Sequence, residues 1–227
     1  MKSPIIVALD MESERALELA KKLNPQECKV KVGSQLFTAD GPIIIEKLNE
    51  LGFDIFLDLK FHDIPNTVKK AVETVIKMGV WMLNVHSLGG KEMLRAAYEV
   101  VEKVSIKPLL VGVTVLTSLN DKSLKEVGLG LNTEDQVLLL AELCQAEGLN
   151  GVVCSASELS ILRKHLDKDF LLVTPGIRSS ELKKDDQKRI STASEAISNG
   201  ADYIVIGREI SNEIDPSKKI RQILETV

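Results

Sequence analysis

Eight short runs rich in Ile, Val and Leu recur along the 227-residue chain, at residues 5–9, 28–32, 55–57, 81–85, 109–115, 151–153, 170–173 and 203–206. That recurrence constrains the fold more than any other feature. Between the runs lie segments such as SERALELAKKL, GPIIIEKLNEL, VKKAVETVIKM, GGKEMLRAAYEVVEKV and TEDQVLLLAELCQAEG, whose apolar residues return at helical spacing. After the last run, Asp215 and Pro216 mark one more helix start. Strands of nearly continuous apolar character are buried on both faces, and a helix after each strand returns the chain for parallel pairing. Eight such units in this length predict an α/β fold, a (β/α)8 TIM barrel, although a doubly wound open sheet shares much of the pattern. No Pro/Gly/Ser-rich linker or shift in composition divides the chain, so residues 1–227 read as one barrel domain.

In such barrels the loops after the carboxyl ends of the strands carry the chemistry. Those positions hold Asp10, Lys31, Asp58 with Lys60, His86, Thr117 with Ser118, Ser155, Pro175 with Gly176, and Gly207 with Arg208. Polar residues therefore collect on one rim. The densest stretch is IFLDLKFHDIPNTV, where Asp58, Lys60 and Asp63 fall within six positions directly after an apolar run. If the strand continues through them, Asp58 and Lys60 share its inward face, because strand side chains alternate. Lys31 interrupts an otherwise apolar strand. A buried ammonium is costly unless a carboxylate compensates it, and Lys31, Asp58 and Lys60 on adjacent strands compensate one another.

Plainer readings stand beside these. Asp63 before Pro65 fits a cap on the third helix, and Asp58 with Lys60 alone fits a salt bridge on the rim. His62 and His86 lack H-x-x-x-H or H-x-x-E-H spacing, and Cys28, Cys144 and Cys154 form no C-x-x-C pair, so neither a metal site nor a disulfide framework is expected. Gly207 and Arg208 follow the eighth strand, where barrels often bind phosphate between the loops after strands seven and eight. A guanidinium suits phosphate oxygens and glycine admits them to the backbone; the alternative is a surface arginine. The loop TPGIRSSELKKDDQKRIS carries Arg178 and Gln187 and fits either a lid over an anion or a solvated loop.

Composition excludes other classes. A net charge of -4 and aromatics at 4% argue against a nucleic-acid surface. The six apolar residues before Asp10 are too few for a signal-peptide core, and no later run approaches a membrane span. A cytoplasmic protein with no nucleic-acid or membrane partner is expected.

The block DLKFHDIPNTV resembles the signature of the orotidine 5'-phosphate decarboxylase family in its shorter bacterial form, with a D-x-K-x-x-D core in Asp58, Lys60 and Asp63. VALD, KVG, NVH, VTVLTS, TPGIR and IGR extend the resemblance along the chain. It implies decarboxylation of orotidine 5'-phosphate to uridine 5'-phosphate, the last step of de novo synthesis of that nucleotide, with no cofactor and no metal, in a homodimer of barrels. By the same resemblance Lys60 is the proton donor to C6, in a charged network with Lys31, Asp58 and, from the other subunit, Asp63. Asp10 and Lys31 are expected at the ribose hydroxyls, joined by Thr67 of the partner chain, and Thr117 at the pyrimidine. Arg178, Gln187, Gly207 and Arg208 are expected around the phosphate. Two other readings remain. A magnesium-dependent 3-keto-L-gulonate 6-phosphate decarboxylase shares the D-x-K motif, but a carboxylate ligand is expected there where Lys31 stands; a non-catalytic phosphosugar-binding barrel would not need Asp58, Lys60 and Asp63 together.

Overall fold

The computed structural model describes residues 3–178 and 191–227. Its strands are β1 (Ile5–Ala8), β2 (Lys29–Gly33), β3 (Ile55–Phe61), β4 (Met82–His86), β5 (Leu109–Val113), β6 (Gly151–Val153), β7 (Leu171–Pro175) and β8 (Tyr203–Ile206). Each pairs in parallel with the next, and β8 pairs back onto β1 with Ile5 opposite Ile204. The sheet is thus a closed barrel and not the open alternative, and closure leaves no edge strand exposed.

Side-chain alternation sorts the apolar residues into two cores. Ile5, Val7, Val30, Val32, Ile55 and Leu57 point outward and pack under the helices, while Ile6, Ala8, Phe56, Met82, Val111, Val173 and Val205 fill the barrel. Burying each large aliphatic side chain contributes about 1.5–3 kcal/mol, so the strands are held from both sides. That is why their sequences lack the polar alternation of a half-exposed strand.

Helix starts follow local chemistry. Asp215 accepts a hydrogen bond from the Lys218 N–H at 2.9 Å and Pro216 occupies the first turn of the helix Pro216–Leu224. The stretch after β5 contains the short helix Asp121–Glu126, capped by Asn120, whose side chain accepts from the Ser123 N–H at 3.0 Å. Among the described residues no helix is long and apolar enough to cross a membrane.

At the amino-terminal end of the barrel, the buried Lys29 donates to the Ser3 carbonyl at 2.9 Å. Its ammonium lies 5.0 Å from the ring centre of Trp81 and 5.3 Å from that of Tyr203, and the two rings meet edge to face. Both rings thus present π-electron density to the Lys29 ammonium at this end of the barrel.

Candidate active site

The opposite, carboxyl end is organised by an irregularity in β3. Leu57 pairs with Leu83 of β4, but the next pair is Phe61 with Val85, so Asp58, Leu59 and Lys60 together face the single residue Asn84. The ladder bulges there, as it does beside many active sites. Lys60 has φ +51°, the one positive value among the described non-glycine residues. A side chain in this left-handed region costs about 1–3 kcal/mol and persists only where its surroundings hold it. Asp58 and Lys60 do meet, with Nζ 2.6 Å from Oδ1. They do so through this turn of the backbone, not through the regular alternation that the sequence suggested.

Two further residues extend the pair. Lys31 Nζ lies 3.2 Å from Asp58 Oδ2 and 2.8 Å from Asp10 Oδ1. The order Asp10, Lys31, Asp58, Lys60 alternates in sign, from an exposed carboxylate through a buried centre to an ammonium 37% exposed at the cleft. Burial would push the Asp58 carboxyl upward. The charges of Lys31 and Lys60, with hydrogen bonds from Lys60 and Asn84, outweigh it and hold Asp58 below the usual carboxylate range. Burial would likewise lower Lys31, but Asp58 and Asp10 hold it above the usual lysine value. Asp58 and Lys31 thus each favour the charged form of the other. Gly33 makes room for the array, since a Cβ there would stand 2.8 Å from Asp10 Oδ1 and 3.0 Å from Lys31 Nζ.

These side chains line one wall of a cleft of about 430 Å³. Thr117 follows β5, Pro175 ends β7, and Gly176 and Arg178 come after it. Gly207 and Arg208 follow β8, all around the same cleft. Gly176 has φ +82°, a conformation that glycine adopts without strain. Phe56, Val153 and Val205 give the cleft an apolar floor. The site thus combines an ammonium, an apolar floor and two guanidiniums in one cleft, a lining suited to an anionic ligand with an uncharged part.

Of the residues expected from the sequence, the cleft brings together Asp10, Lys31, Asp58, Lys60, Thr117, Arg178, Gly207 and Arg208. Asp63 and Thr67 are not in it. Both are exposed, with Thr67 one helical turn beyond Asp63 and the 67%-exposed Ile64 between them. Asp63 does not cap the helix Pro65–Ile76: the residue at that cap is Ile64, and Asp63 Oδ1 instead accepts from the Ile64 N–H at 2.7 Å. Gln187 lies outside the described residues. Sequence reading overlooked Asn84 and Gly33, although the polar Asn84 inside MLNVH carried the same signal as Lys31 inside KVKVG.

His62 and His86 stack with ring centres 5.2 Å apart. Burial, and after it the neighbouring His62 and Lys60, push the His86 imidazole down from 6.5 to about 4. The bare ring nitrogen is in use, because Nδ1 accepts from the Leu88 N–H at 3.3 Å. Between those two values the unfolded chain binds a proton that the folded one refuses, so stability should fall as the pH drops from 6.5 toward 4. His86→Gln should flatten that part of the melting-temperature profile. An unchanged slope in the variant would assign the effect to other groups.

Comparison with known proteins finds similarity along nearly the whole chain. Residues 3–223 match the family model described as Orotidine 5'-phosphate decarboxylase / HUMPS family. The orotidine 5'-phosphate decarboxylase of Dichelobacter nodosus is 51% identical over 226 residues, spanning 99% of each chain. That of Marinomonas sp. is 50% identical, over 97% of this chain and 94% of its own. The crystal structure of orotidine 5'-phosphate decarboxylase from Lactobacillus acidophilus superposes with a TM-score of 0.87 at 37% identity, covering 99% of this chain and 98% of that one. With barrel and relatives agreeing from end to end, the chain belongs to the orotidine 5'-phosphate decarboxylase / HUMPS family.

Proposed function

We propose that the protein decarboxylates orotidine 5'-phosphate to uridine 5'-phosphate, with Lys60 delivering the proton to C6. The observation that carries this reading is the alternating array ending in Lys60, whose Nζ is anchored on Asp58 at 2.6 Å and borders the cleft. Loss of carbon dioxide from the pyrimidine leaves an sp2 carbanion at C6 with no conjugated electron sink. A fixed ammonium next to that atom stabilises the developing charge and then protonates the carbon. Asp58 pairs with Lys60 and aims it; its own charge near the substrate carboxylate favours departure of carbon dioxide.

The remaining assignments follow the cleft. Asp10 and Lys31 hold the ribose hydroxyls, Thr117 the pyrimidine, and Arg178, Gln187, Gly207 and Arg208 the phosphate. Asp63 and Thr67 serve the site of a partner subunit in a homodimer, a reading supported by their joint exposure beside Ile64. The reaction is assigned without a metal because the Lys31 ammonium lies between the carboxylates of Asp10 and Asp58, the place and partners that a divalent cation would need. The same observation disfavours the magnesium-dependent keto-gulonate chemistry.

The direct test is the loss of orotidine 5'-phosphate absorbance with and without chelator. Equal rates are expected. Activity abolished by chelator and restored by magnesium would overturn the assignment. Arg208→Ala should weaken binding of substrate and product by about 2 to 4 kcal/mol through loss of a charge-assisted phosphate contact, while a nucleoside lacking the phosphate should be barely affected. Equal losses on both would make Arg208 structural.

A further inference from the structure

We infer that Asn84 is the positioning residue of this site: one buried side-chain amide closes the gap left by the β3 bulge and so fixes both Lys60 and Asp58. Asn84 Oδ1 accepts from the Lys60 backbone N–H at 2.8 Å, and Asn84 Nδ2 donates to Asp58 Oδ1 at 2.7 Å. The orientation of the amide is dictated by its partners, since an N–H requires the oxygen and a carboxylate requires the NH2 group. Asn84 is wholly buried in the barrel and does not border the cleft. It therefore acts on the substrate only through its two partners.

The bulge explains why an amide is needed. Three residues of β3 face one residue of β4, so the regular ladder has no carbonyl for the Lys60 N–H. Left alone, that buried donor would cost about 1–3 kcal/mol, and the chain would relax by taking Lys60 out of its left-handed conformation. Because Nζ is carried at the end of that residue, such a rotation swings the ammonium away from Asp58. The second hydrogen bond holds the carboxylate that Nζ must meet. A side chain with only a donor or only an acceptor cannot do both.

The inference rests on Lys60 being the proton donor, and its test separates the two. Asn84→Ala and Asn84→Ser should both fold, the second being too short to reach the Lys60 N–H while keeping a hydroxyl. In each, kcat on orotidine 5'-phosphate should fall by about 30-fold or more, since displacement of a reacting group by about 1 Å is enough for that. KM, and the dissociation constant of uridine 5'-phosphate measured by calorimetry, should stay within about threefold, because the groups that hold ribose and phosphate are untouched. A kcat within threefold of wild type, or kcat and product affinity falling together, would overturn the inference. An inactive wild-type protein would instead refute the assigned reaction. The crystal structure of either variant then still decides on Asn84: Lys60 should leave the left-handed region, and its persistence there with Nζ on Asp58 would sink the idea.

Discussion

Lys60→Ala should lower turnover of orotidine 5'-phosphate by at least about four orders of magnitude, because the charge that stabilises the carbanion and the proton that quenches it belong to one group. The fold should survive. Asp58 keeps Lys31 at 3.2 Å and Asn84 at 2.7 Å, so it is not left as an uncompensated buried charge. Alanine and lysine also carry a similar penalty at positive φ, so the backbone strain is not changed. Lys60→Gly removes that penalty and should be just as inactive, which separates the conformation of the residue from its chemistry. Circular dichroism and product affinity would establish that both variants retain the site. A variant keeping even a tenth of wild-type turnover would mean that another group protonates C6.

Mixing two dead variants should restore about a quarter of wild-type activity if Asp63 serves the partner subunit. Lys60→Ala and Asp63→Ala proteins, each nearly inactive, would be unfolded together and refolded as a mixture. In a mixed dimer one site draws Lys60 from one chain and Asp63 from the other and is intact; the second site carries both defects. Random pairing gives about half mixed dimers, each with one good site of two, provided the interface is isologous and the sites act independently. The motivation is geometric. Among the described residues the ion pairs of Lys31 and Lys60 run to Asp10 and Asp58, while Asp63 is exposed and bonds the Ile64 N–H. If Asp63 served its own barrel, every site in the mixture would keep a defect. Activity no higher than the average of the two variants, with subunit exchange confirmed by mass, would rule out the shared site.

The barrel was legible because its cause is periodic. Each strand is buried on both faces and each helix on one, so apolar spacing alone outlines the units, and ligands gather where strands end. Lys31 was legible for a related reason: a charge inside an apolar strand must be compensated, and Asp10 and Asp58 do compensate it. The bulge in β3 was not. Left-handed backbone announces itself in sequence when glycine or asparagine occupies it, and here it falls on a lysine. The meeting of Asp58 and Lys60 was therefore expected for a reason that the backbone does not follow. The cap of the helix at Pro65 misled in the same way. Asp63 has the chemistry of a cap one residue too early, and Ile64 stands at the cap position instead.

The amino-terminal end of the barrel offers a consequence for measurement. The chain has one tryptophan, and it stands against the Lys29 ammonium just before β4 begins, three residues and about 10 Å along the chain from Asn84. Its emission should respond to loss of the cation contact when the barrel opens and stay nearly silent when a nucleotide fills the far end. Intrinsic fluorescence on this protein is therefore an unfolding probe uncontaminated by occupancy, and stability can be followed in the presence of saturating ligand without correcting the signal for binding.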